Sequence, residues 1–162
     1  MKAIKDWVGK GKPGVGIRTT NHAFHLRDKP TPKGHAQWEE WDEKVIGGNY
    51  SGHHGNKLKT SFQLETKAKK HPILKGLEIG VNVPSGGSLY KVSPLARSTR
   101  MLAMGKADQV EKREPVAWTN KPEANNRIFF TSLGHVEDFD NPAFRLLLLN
   151  AIYWSLQKET PG

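Results

Sequence analysis

Two short stretches carry residue types that could do chemistry. In the first, residues 14–22, a Gly-Val-Gly-Ile run breaks at Arg18 into Thr19, Thr20, Asn21 and His22. A sharp strand-to-helix turn of this kind is where α/β enzymes display a nucleophile above the sheet. Here it offers a guanidinium, which stays protonated at neutral pH and neither attacks nor accepts a proton. Arg18 can instead clamp a carboxylate, a phosphate or paired sugar hydroxyls. His22 can donate to a ligand, exchange a proton or ligate a metal, while Thr20 and Asn21 read as caps of a short helix. The second stretch is a buried-strand pattern that ends at His135, followed by Glu137 and Asp138. A carboxylate two residues from an imidazole can set its tautomer and basicity, so His135 reads as a general acid/base oriented by Glu137. The competing reading assigns the acids here to capping, with Asp140 or Asn141 satisfying free amides of the last helix.

A third cluster lies in residues 49–56, where Asn49, Tyr50, His53, His54 and Asn56 are interleaved with glycine and serine. Amides and imidazoles bond hydroxyls while an aromatic ring packs on a pyranose face, which suits sugar recognition. Adjacent histidines seldom face one site, so one of His53 and His54 is expected to be structural. His22, His54 and His135 are the candidate ligands for a divalent, zinc-like metal, although no HExxH-type spacing supports the set. The glycine-rich stretch at residues 84–90 lacks both GxSxG and P-loop spacing, and it reads as a loop.

These groups need elements to position them. Residues 2–9 have helical spacing at Ile4, Trp7 and Val8, and the glycines that follow stop the helix. Residues 13–17 read as a short buried strand, 25–34 as a Pro- and Lys-rich loop, and 35–46 as a helix with Trp38, Trp41 and Val45 on one face. Residues 49–56 read as an exposed loop. Phe62, Leu64 and Thr66 alternate like a strand, and residues 71–77 form a turn with a short helical piece. Further strands are expected at 89–92, 100–105, 114–119 and 127–132. The last helix is the clearest element, with Asn141 as N-cap, Pro142 in the first turn, and Phe144, Leu147, Leu148, Ala151 and Trp154 on one face.

Composition sets bounds. The 162 residues fit one domain, with no repeat and no apolar run near the length of a membrane span. There is no cysteine, so disulfides, thiolate metal sites and thiol nucleophiles are excluded. The net charge of +9 reads as a solvated basic surface. The lysines are scattered apart from the run of residues 67–70, and no nucleic-acid signature accompanies them.

The segments GKGKPGVGIRTTNHAF, GGNYSGHHGN, HPILKGL, EPVAWT and RIFFTSLGHVEDFDNPAFRLLLLNAIYW, in this order, resemble the ThuA-like family, which is named for trehalose utilisation. The resemblance runs from about residue 5 to 156 and implies one domain over 1–162. It implies a flavodoxin-like three-layer α/β/α fold, similar to class I glutamine amidotransferases. In those enzymes a cysteine occupies the turn and a later His-Pro-Glu supplies the base and its orienter. Arg18 stands about where that cysteine would be, and His135 and Glu137 take the later positions, so glutamine hydrolysis through a thioester is unavailable. The resemblance also implies further βα units ahead of this segment, and hence a sheet edge open to association. It implies a small carbohydrate as ligand, with Arg18, His135 and Glu137 as catalytic candidates. His22, Asn49, Tyr50, His53, His54 and Tyr90 are then the substrate-binding candidates. The alternative is a non-catalytic sugar-binding or interaction module on the same scaffold.

Overall fold

The computed structural model describes residues 1–27, 29–122 and 126–162. The expected loop at 25–34 therefore includes one position outside the described residues. Helix α1 (Lys2–Gly9) leads into strand β1 (Gly14–Ile17), which breaks at once into a 3-10 turn, Arg18–His22. A π-helical turn, Trp41–Ile46, precedes β2 (Thr60–Leu64) and β3 (Val83–Ser85). Strands β4 (Thr99–Ala107), β5 (Glu114–Asn120) and β6 (Ile128–Thr131) follow, then a second 3-10 turn, Val136–Asp140, and helix α2 (Pro142–Ser155).

The strands form one six-stranded sheet in the order β1-β6-β5-β4-β2-β3. Only β1 and β6 pair in parallel, and the other four pairings are antiparallel. The result is a mixed α/β sheet whose parallel character is confined to one side. The C-terminal ends of β1 and β6 lie together, with Ile17 opposite Thr131. The two stretches singled out in the sequence therefore leave the sheet side by side.

Strand β6 alternates its side chains between two cores, as the pleat requires. Phe129 joins Leu102, Phe144, Leu147 and Ala151 on the α2 side. Ile128 and Phe130 join Val8, Trp41, Val45, Ile46 and Trp118 on the other. Helix α2 begins as its sequence predicts: Asn141 Oδ1 accepts the Ala143 N–H at 2.9 Å and Pro142 occupies the first turn. Pro at that position loses no hydrogen bond, because its N–H would be an orphan there.

Several expectations need correction. The helix over 35–46 shrinks to Trp41–Ile46, although its stop is where the glycines put it. Gly47 has φ +86°, and a Cβ there would stand 2.5 Å from Thr99 Cγ2 and 2.9 Å from Asn120. The indole of Trp41 donates to Thr20 O at 2.6 Å, and Trp38 N–H donates to Phe24 O. These contacts tie Trp41 to the first turn and Trp38 to the segment just after it, rather than to a long helix. Residues 89–92 are not a sheet strand. Instead Tyr90 pairs with His53 in an isolated antiparallel bridge. The backbones of residues 51–54 and 89–91 cross-bond on both sides of it, Lys91 N–H to Gly52 O and His54 N–H to Leu89 O. The expected exposed loop at 49–56 is thereby half ordered as a narrow ribbon. Helix α1 is present, but Ile4 and Trp7 remain exposed and only Val8 is buried. Thr20 and Asn21 cap nothing: the first turn has no side-chain cap, and the fully buried Asn21 donates its amide to Gly48 O at 2.9 Å.

Candidate functional site

The break after β1 is strained. Arg18 has φ +49°, a left-handed conformation that side chains with a Cβ rarely adopt. The turn displays its residue as a nucleophile elbow would, but the residue is an arginine. Arg18 Nη1 donates to Ser132 O at 3.2 Å, on the loop leaving β6. Its guanidinium also sits over the Tyr90 ring, 5.2 Å from the centroid. A Cβ on Gly87 would overlap Arg18 Nη1, so only glycine lets the backbone pass this close.

His135 lies immediately across from Gly86 and Gly87. A Cβ on Gly86 would be 2.5 Å from both His135 Nδ1 and Glu137 Oε2. Imidazole and carboxylate thus flank the same glycine. His135 Nδ1 accepts the backbone N–H of Glu137 at 3.4 Å, which leaves the proton of the neutral ring on Nε2. The neutral tautomer is therefore set by a backbone amide, and the Glu137 side chain stands beside the ring.

The carboxylate that organises this turn is Asp138. Its Oδ2 accepts the Gly134 N–H at 2.7 Å, the His135 N–H at 2.9 Å and the Ser85 hydroxyl at 3.1 Å. Its Oδ1 accepts the Gly86 N–H at 3.0 Å. One buried side chain therefore fastens the glycine loop to the His135 turn. The spacing in the sequence pointed to an acid near His135, but which acid faces inward depends on the handedness of the turn.

A wall of rings continues from Arg18. Tyr90 meets Tyr50 edge to face at 4.8 Å, and Tyr50 stacks on His22 at 4.1 Å with planes inclined by 20°. Burial holds the His22 imidazole below its usual range, and the Arg27 guanidinium adds to this against the opposing pull of Asp42. Burial also raises both tyrosine hydroxyls, with Arg27 and Arg18 partly countering it at Tyr50 and Arg18 at Tyr90. At neutral pH the wall is a neutral imidazole and two neutral phenols bracketed by two guanidiniums. Arg27, which no sequence motif singles out, lies 5.3 Å over the Tyr50 ring and pairs with buried Asp42 at 3.3 Å.

The remaining candidates divide. His53 is exposed, with its ring Nδ1–H donating to His54 O at 2.9 Å. His54 turns inward, its Nε2 3.7 Å from Oε1 of the fully buried Glu114. Burial pushes the Glu114 carboxyl up, but hydrogen bonds from Lys112, Ser93 and the Val92 amide outweigh it and leave the group lowered. The two histidines of the pair thus face in different directions. Asn49 is exposed beside Tyr50. Among the described residues no three His, Asp or Glu side chains converge as a metal site requires, so His22, His54 and His135 are not brought together as a ligand set.

The fold and site define a class: a mixed α/β domain in which β1 and β6 end side by side, with an arginine at the strained turn after β1. The family model for trehalose utilisation, ThuA, matches residues 2–155, and the chain belongs to that family. In structure the chain is similar to a ThuA-like protein from Bacteroides uniformis ATCC 8492, with a TM-score of 0.70 and 18% identity. That likeness covers 99% of this chain and 65% of the other, so the chain spans less than two thirds of its neighbour's length. No curated protein matches it. Among the described residues no helix is long and apolar enough to cross a membrane.

Proposed function

We propose that this domain binds a carbohydrate at the junction of β1 and β6, on a flavodoxin-like scaffold related to the amidotransferases, and that His135 transfers a proton there. The observation that carries the reading is the strained Arg18. Its guanidinium lies between the Tyr90 ring and the Gly86–Gly87 loop, next to His135. A fixed positive charge beside stacked rings suits an oxygen-rich ligand: Arg18 donates to hydroxyl or carbonyl oxygens, and the His22, Tyr50 and Tyr90 rings pack on the sugar face. His135 acts as general acid from its protonated form: the imidazolium, stabilised by the Glu137 carboxylate beside the ring, donates a proton to a ligand oxygen and is left as neutral imidazole. His53 and Asn49 contact outlying hydroxyls from the exposed ribbon, while His54 supports the ribbon from beneath.

One observation favours the second reading, a sugar-binding module without turnover. Among the described residues no carboxylate accepts a hydrogen bond from the His135 ring; its Nδ1 is engaged by a backbone amide. Trehalose and a set of keto-sugars, titrated while the His22, Tyr50 and Tyr90 ring resonances are followed, test both. Saturable shifts, abolished in Arg18→Ala, support the site. Turnover that disappears in His135→Ala while binding persists supports the catalytic reading. Binding with no turnover of any sugar favours the module. No shift with any sugar overturns the carbohydrate assignment.

A further inference from the structure

At the other end of the sheet, where β4 and β6 begin, lies a second cleft of about 690 Å³, well apart from His135. Its volume falls within the range of about 300–1,000 Å³ typical of small-molecule sites. Five cations line it: Lys69, Lys70, Lys75, Arg127 and Lys158. In the sequence they are spread over ninety positions, and only the pair at 69–70 shows as a basic run. The single acid in the lining, Glu159, is exposed and reaches only Lys75, at 3.6 Å. Among the described residues no carboxylate stands within ion-pair distance of Lys69, Lys70, Arg127 or Lys158.

The cleft is built, not a chance gathering of lysines. Asn150, fully buried, donates to both Ile73 O and Lys75 O and accepts from the Gly162 amide, which holds the two rims together. Arg127 is fixed by its bond to Trp154 O at 3.0 Å and lies over the indole ring at 5.2 Å. The buried His71 ring packs against Trp154, and its Nδ1 is occupied by the Ile73 N–H. Burial lowers His71 to about 4, with Arg100, Lys121 and Arg127 contributing further, which reports the positive potential at this end. Walls of one sign around a low-dielectric floor focus that potential into the cleft.

We infer that the cleft between Lys70, Lys158 and Arg127 is a second ligand site, and that it takes a phosphorylated small molecule. Arg127 supplies a fixed, planar donor pair; the lysines supply mobile point charges, a combination suited to phosphate oxygens. His71, neutral with its remaining ring proton on Nε2, adds a donor at the floor. The site is independent of the carbohydrate reading, since it shares none of that site's residues.

The test is calorimetric titration of the whole chain with inorganic tripolyphosphate at low salt. It is repeated with citrate as a less highly charged polycarboxylate. Two charge-reversal variants accompany it: Lys70→Glu/Lys158→Glu, and the control Lys33→Glu/Lys106→Glu, which changes net charge equally at exposed positions elsewhere. One tripolyphosphate per chain is expected, with affinity falling by about tenfold or more in the cleft variant and about twofold in the control. All four positions are exposed, and unchanged thermal unfolding verifies the variants. Equal losses in both variants, or no saturable binding, would overturn the site. Citrate binding as tightly as tripolyphosphate would overturn the assignment to phosphate.

Discussion

The His22 imidazole stacks on the Tyr50 ring at 4.1 Å while the Arg27 guanidinium covers that ring from 5.3 Å. Burial and the nearby cation both disfavour protonated His22. The imidazole is therefore expected to titrate below its usual 6.5. Arg27→Ala removes the second of these causes and is expected to move the titration upward. Carbon-detected imidazole shifts across a pH series measure both; a lower value in the variant would refute the account. Because the folded value is depressed, the unfolded chain binds more protons below 6.5, so stability falls as pH drops through that window.

The larger effect of the same sign belongs to His71, held at about 4 by burial and by Arg100, Lys121 and Arg127. Its neutral form is stable above 6.5, and the penalty grows as pH falls toward 4. Once the pH is below the folded-state value of about 4, this amounts to about 3 kcal/mol. His71→Asn keeps an acceptor for the Ile73 N–H without the titrating ring. Urea unfolding at neutral and mildly acidic pH is expected to show about 2 kcal/mol less acid destabilisation in this variant. An unchanged difference would place the acid sensitivity elsewhere.

Gly87→Ala separates site from fold. The added methyl would overlap the end of the Arg18 side chain, not backbone. Unfolding temperature is expected to move little, while affinity for the proposed carbohydrate ligand drops about tenfold as Arg18 leaves its place over Tyr90. A variant that loses stability but binds normally would show that Gly87 serves packing alone.

Asp138→Ala removes the acceptor of four hydrogen bonds at once. Bonds to a buried carboxylate are the stronger kind, and their donors would be stranded, so a loss of about 3 kcal/mol is expected by urea unfolding. Amide exchange at Gly86 should quicken far more than exchange in β5. Uniform quickening would mean that Asp138 supports the whole fold rather than the glycine loop.

Local sequence determined a good deal here. The break after Ile17, the stop at Gly47 and the capped start of α2 were legible because glycine, proline and capping side chains act over a few residues. The candidates at Arg18, His22, Tyr50 and His135 were legible as residue types, Tyr90 only through the family resemblance, and the ThuA family as a run of ordered segments. Four things were decided only in three dimensions. The sheet is antiparallel except at β1–β6, since pairing direction depends on chain crossovers that no local pattern encodes. The pairing of Tyr90 with His53 replaced a predicted strand, because an isolated bridge lacks the periodicity of a sheet. Asp138 rather than Glu137 faces inward, since one step of a 3-10 turn rotates a side chain by about a third of a circle. Lys75, Arg127 and Lys158 join the 69–70 pair at one end of the sheet, because residues far apart in sequence become neighbours only when β6 and α2 pack beside the 71–77 turn.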